Sequence, residues 1–134
     1  TAGKFQSTLG DVPGVSAVFP GGFVTYANEA KRDLLGIPQQ VIDTDGVVSE
    51  HTAQEMAERS RQKLDTDFAL SFTGVAGPDD LEGQPAGTVW LGLAQRHQAP
   101  QAKLVHLTGN RAKVRERAVM QALDWLRRIL RDQK

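Results

Sequence analysis

Three β-rich runs follow one another between two well-capped helical stretches, and this order restricts the fold more than any other feature. Residues 68–72, 87–95 and 102–109 carry the β-branched and aromatic content of strands. Ahead of them Ser49 stands as an N-cap with Glu50 just inside. Ala53, Met56, Ala57, Ser60 and Leu64 then recur at helical spacing. Behind them Asn110 caps a long helix whose apolar side carries Val114, Ala118, Ala122, Leu126, Ile129 and Leu130. Helices that separate strands predict an α/β fold, here a three-layer α/β/α sandwich with a central sheet and helices on both faces. At 134 residues the chain is one domain, 1–134, long enough to bury roughly two thirds of its unfolded surface.

The first third is less regular. Residues 4–9 read as a short helix with Phe5 and Leu9 on one face, and residues 10–14 as a turn. Residues 16–27 read as extended chain bent at Pro20-Gly21-Gly22. Asn28 then reads as the N-cap of a helix ending at Leu35, with Gly36 at C′ and Pro38 beyond it. Residues 38–44 add a helical turn.

Without cysteine, the chain has no disulfide, thiolate nucleophile or cysteine metal site, and a cytoplasmic location is expected. No apolar run approaches the ~20 residues of a membrane helix. Zero net charge argues against a dedicated nucleic-acid binder. The charge is uneven, however: residues 41–82 hold ten acids against three bases, and residues 110–134 eight bases against three acids. Two solvated helix faces account for this, or an anion site near the basic segment.

Several residues are candidates for chemistry. With Asn28 as N-cap, Lys31 falls at N3, where the helix dipole disfavours an ammonium. Burial beside Tyr26 would disfavour it further, and a lysine of lowered pKa serves as a general base. An exposed lysine early in a helix is the plain alternative. Ser16 follows a Pro-Gly turn and needs an adjacent base to become nucleophilic; otherwise it is a turn serine. Thr73, Gly74 and Gly77 lie where a buried strand ends, either as anion-binding backbone or as a tight turn. The run is no phosphate loop, since no Lys-Ser/Thr follows. Asn110-Arg111 joins a helix N-terminus to a guanidinium, a pairing that suits phosphate. His51, His97 and His106 lack metal-ligand spacing and read as structural. Asp79-Asp80 reads as a turn before it reads as a cation site.

Four blocks, "DVPGVSAVFPGGFVTYANEAKRDLLG", "DGVVSEHTAQEMA", "SFTGVAGPDD…PAGTVWLGLA" and "GNRAKVRERAV", together resemble the C-terminal domain of the competence/damage-inducible CinA family. That family includes nicotinamide-nucleotide amidases. The resemblance implies hydrolysis of the carboxamide of nicotinamide mononucleotide to nicotinic acid mononucleotide and ammonia, without metal or cofactor. It implies an α/β/α sandwich and a homo-oligomer, often a dimer; that no membrane partner is expected, and that the charge argues against nucleic acid, rests on the composition above. It also implies that a strand and most of a conserved segment precede Thr1-Ala2-Gly3, and that some members carry a further N-terminal domain. Of the family's paired serines only the second, Ser16, is present. The catalytic set expected here is Ser16 as nucleophile, Lys31 as base and Tyr26 between them. The substrate-binding set is Thr1, Gly3, Asn28, Thr73, Gly74, Gly77 and Arg111. The other expectation is a non-catalytic nucleotide-binding or competence-associated regulatory module.

Overall fold

The computed structural model describes residues 1–133. The helices are α1 (Lys4–Gly10), α2 (Asn28–Leu35), α3 (Gln39–Asp45), α4 (Glu50–Leu64) and α5 (Arg111–Asp132). A 3₁₀ turn occupies Val15–Ala17. Strands β1 (Phe68–Gly74), β2 (Thr88–Gln95) and β3 (Gln101–His106) form one antiparallel sheet in the order β1-β2-β3. Phe68 lies opposite Gln95 and Gly74 opposite Val89, while Thr88 lies opposite His106. Both expected caps form: Ser49 accepts from the Thr52 N–H and Asn110 from the Lys113 N–H. Among the described residues no helix is long and apolar enough to cross a membrane.

Two apolar clusters hold the elements together. Val89, Leu91 and Leu93 of β2 pack with Val114, Ala118, Ala122 and Trp125 of α5. Leu35, Ile37, Ile42, Val47, Val48, Met56 and Val75 form the other, beneath α2, α3 and α4. Each such side chain contributes roughly 1.5–3 kcal/mol when fully buried. Between α4 and the sheet the spacing is set by small residues. Ser71 Oγ donates to the Ala53 carbonyl at 2.6 Å, and a Cβ on Gly92 would lie 2.3 Å from that same oxygen. Gly92 is therefore a requirement of close approach rather than of backbone conformation.

The structure departs from the sequence reading in the first third. Ser16 sits in the 3₁₀ turn rather than at the start of a strand, because Gly14, at φ 82°, turns the chain directly into it. Residues 19–27 keep a strand-like alternation, with Phe23 and Thr25 inward and Val24 and Tyr26 outward, yet pair with no strand among the described residues. The cap of α2 is Ala27, not Asn28, and no side chain caps it. Lys31 therefore moves to N4, and its N–H already reaches the Ala27 carbonyl. The sheet is wholly antiparallel, so the rule for ligands beyond parallel strand ends does not apply to residues 73–77.

Gly92→Ala should destabilise the fold by roughly 1–3 kcal/mol, since the added methyl must push α4 off the sheet. Urea unfolding of the variant checks this, and a change under about 0.5 kcal/mol, the range of a neutral surface substitution, would show that the α4 contact is not tight.

Candidate functional site

A cavity of about 940 Å³ opens beside β1, within the size range of ligand pockets. It is lined by β1, an edge strand, and by the unpaired run of residues 19–26. Phe5 of α1 closes one side, its ring 5.6 Å from Phe72 and 6.1 Å from Phe19. Gln6 Nε2 donates to the Phe23 carbonyl at 3.4 Å, tying α1 to the unpaired run. Lys31 and Leu35 enter from α2, and Arg111 and Arg115 from α5.

Lys31 is 7% exposed, and its Nζ donates to the Thr25 carbonyl at 2.9 Å. Burial holds its pKa below the ordinary 10.5, and the Glu82 carboxylate partly opposes that. The cause is desolvation, the second of the two causes the sequence suggested, rather than the helix end. A neutral amine can keep its bond to Thr25 and still offer a lone pair.

Tyr26 is 68% exposed, and its hydroxyl accepts from Arg111 Nη2. Arg111 Nη1 donates to the Gly77 carbonyl at 2.9 Å, so one guanidinium joins α5, the β1–β2 loop and the start of α2. Ser16 is exposed and lies outside the cavity wall, although its neighbours Val15 and Val18 line it. Among the described residues Ser16 makes no hydrogen bond with Lys31 or Tyr26; the bonds of Lys31 and Tyr26 are those just given.

The remaining candidates divide. Thr1, Gly3, Asn28, Thr73, Gly74, Gly77 and Arg111 all line the cavity. The Thr73 hydroxyl, however, is spent on the Val47 carbonyl, which anchors β1 to the turn before α4. Gly74 answers packing, since a Cβ there would lie 2.7 Å from the Thr88 carbonyl. Gly77 adopts φ 94°, which an L side chain resists. Two residues escaped the sequence reading. Arg115 donates from Nε to the Thr1 carbonyl at 3.0 Å, and its position four after Arg111, one helical turn on, was readable. Glu82 accepts from the Val47 and Val48 N–H groups at 3.2 and 3.1 Å, across more than thirty residues, and nothing local announces it.

The lowered Lys31 pKa has a thermodynamic consequence. Well below its folded value the ammonium is present in both states, and the burial penalty is felt in full. As pH rises from that value towards 10.5 the native state is the first to lose the proton, so stability gains with pH in that window. Lys31→Met should lack this gain, so its stability relative to wild type should fall as pH climbs towards 10.5. Urea denaturation at several pH values reads it, and a pH-independent difference would mean that Lys31 titrates as it does in the unfolded chain.

The family profile described as the CinA C-terminal domain matches residues 1–130. A protein of Levilactobacillus brevis named "Putative competence-damage inducible protein" is 75% identical over 134 residues, covering 100% of this chain and 32% of that protein. The chain thus spans about a third of the length of the curated relatives it matches. Among solved structures, competence damage-inducible protein A (ComA) of Klebsiella pneumoniae aligns with a TM-score of 0.94 at 31% identity, over 99% of this chain and 83% of that one. A CinA superfamily protein of Escherichia coli aligns at 0.91 and 33% identity, over 96% and 74%. The α/β fold, the ordered match over nearly every residue and these relatives agree: the chain belongs to the CinA C-terminal domain family.

Proposed function

We propose that this domain is an amidohydrolase that converts the carboxamide of nicotinamide mononucleotide to a carboxylate and ammonia, as part of pyridine nucleotide recycling. The observation that carries this reading is Lys31, a buried amine of lowered pKa in the wall of a nucleotide-sized cavity. Membership of the CinA family supports it.

In this reading the amine takes the proton from Ser16 Oγ as that oxygen attacks the carboxamide carbon. The C–N bond then breaks, and ammonia leaves with the proton from Lys31. Water attacks the resulting ester, returns a proton through Lys31 and releases the acid with Ser16 restored. The Val75 N–H is spent on the Thr88 carbonyl, so in this reading other backbone N–H groups of the 73–77 segment serve the developing oxyanion or the ribose, Tyr26 and Asn28 flank the substrate, and Arg111 with residues 1–3 takes the phosphate. Ser16 reaches the amine when its exposed turn, whose flanks already line the cavity, folds inward over the mouth.

The remaining parts of the reading concern the scaffold. Along β2, Gly92 meets α4 while Val89, Leu91 and Leu93 pack with α5, and on that alternation we read the architecture as a three-layer α/β/α sandwich. The protein is a cytoplasmic homodimer in this proposal.

The exposed position of Ser16 favours a second reading, a nucleotide-binding or competence-associated regulatory module without turnover. Ammonia release from nicotinamide mononucleotide by the full-length protein separates the two. The amidase reading expects turnover, with an acid limb of kcat/KM set by Lys31 below 10.5. Lys31→Arg should lose about 10²–10⁴-fold in kcat/KM, because a guanidinium cannot accept the proton. Ser16→Ala should be inactive yet folded. Activity in Lys31→Arg would remove the base, activity in Ser16→Ala the nucleophile, and absence of ammonia from wild type the whole reading.

A further inference from the structure

Uncharged sequence marks buried chain in this molecule, with one exception. Residues 83–95 hold no Asp, Glu, Lys or Arg, and they contain β2, six of whose eight residues are buried. Residues 12–28 are uncharged for longer, 17 residues in a chain that is 24% charged, yet only Thr25 among them is buried. Of the nine large apolar side chains left exposed among the described residues, four stand in this stretch: Val12, Val18, Val24 and Tyr26. Val18 is 83% exposed. The backbone is open as well. The carbonyls of Phe23 and Thr25 are taken by Gln6 and Lys31. The N–H groups and carbonyls of Val24 and Tyr26 have no partner among the described residues. Extended chain turns its polar groups to alternate sides, so these groups form a free edge. Exposed edges are ordinarily guarded by charge, as β3 is by Lys103, and this one is not.

An unguarded apolar edge that no described residue covers is a surface for association. Nucleic acid and anionic membrane are met with basic residues, and this stretch has none. A second copy of the chain is the partner it suits. Two-fold contact sets identical patches against each other, so any net charge in the patch would repel its own image, and here there is none. A two-fold axis normal to an extended run also lays it antiparallel to its copy, where each free N–H can meet a free carbonyl. We infer that residues 12–27 are the face on which two copies of this chain meet, with residues 23–27 of each paired antiparallel across the two-fold axis. Val18 and Val24 also border the cavity and Ser16 lies within the face, so the second copy stands at the rim of the site. This rests on the homodimer proposed above, but not on any turnover.

Analytical ultracentrifugation and hydrogen exchange of the full-length protein test it. Wild type should be a dimer at micromolar concentration. Val18→Asp should weaken the dimer by about 100-fold or more, because symmetry brings the new charge into the interface twice. Its circular dichroism should stay that of wild type, since the exposed Val18 supports nothing in the core. Should Val18→Asp fail to fold, Val24→Lys decides in its place. Amides of residues 21–27 should exchange more slowly in the wild-type dimer than in the dissociated variant. A monomeric wild type would fail the homodimer reading and the inference with it. A dimer of wild-type affinity in the deciding variant, or equal exchange of residues 21–27 in dimer and monomer, would overturn this face and leave the homodimer standing on another. None of these results depends on ammonia release, so the amidase reading stands or falls separately.

Discussion

The contact of α4 with the sheet is the constraint on which the rest of the molecule depends. Because position 92 has no side chain, the Ala53 carbonyl can descend to Ser71 Oγ. That depth places the turn before α4 against the end of β1, where the Thr73 hydroxyl reaches the Val47 carbonyl. The same turn then receives the β1–β2 loop: Glu82 caps the Val47 and Val48 N–H groups, and Gln84 Nε2 donates to the Val48 carbonyl at 2.8 Å. The loop so fixed presents the Gly77 carbonyl to Arg111, which in turn holds the Tyr26 hydroxyl. A packing decision in the core is thereby relayed, bond by bond, to the rim of the cavity.

Within that frame the cations that line the cavity are of two electrostatic kinds. Lys31 is a cation that burial discourages, with a backbone carbonyl as its hydrogen-bond partner. Arg111, exposed, and Arg115, partly buried, are cations that no ordinary pH removes. The first kind suits an amine that exchanges a proton, the second a fixed charge.

Much of this was legible in the sequence where the signal is local. Ser49 and Asn110 announced their helices because a cap needs only the residue and the next three. The strand runs were evident from their composition, and the α5 stripe from its period, although Trp125 was missed as a core residue and Leu130 proved exposed. Lys31 was singled out for a helix end first and burial second, and in the structure burial is the larger cause of its lowered pKa. What could not be read were pairings across the chain, such as Thr73 with Val47 or Glu82 with Val48. Nor could the conformation of residues 15–27 be read, since their apolar alternation suits a strand and gives no sign that no partner strand lies beside it.

The central claim is that Lys31 is an amine poised to shed its proton in this cavity, and direct titration of that one side chain tests it. Heteronuclear NMR of ¹³C,¹⁵N-lysine-labelled full-length protein, with Lys31 assigned by its loss in Lys31→Met, reports the Cε shift as a function of pH. A midpoint clearly below 10.5 is expected, displaced from those of exposed lysines in the same spectrum. A midpoint at or above 10.5 would mean that the ammonium is at ease where it sits, and Lys31 would then be a fixed charge rather than a base.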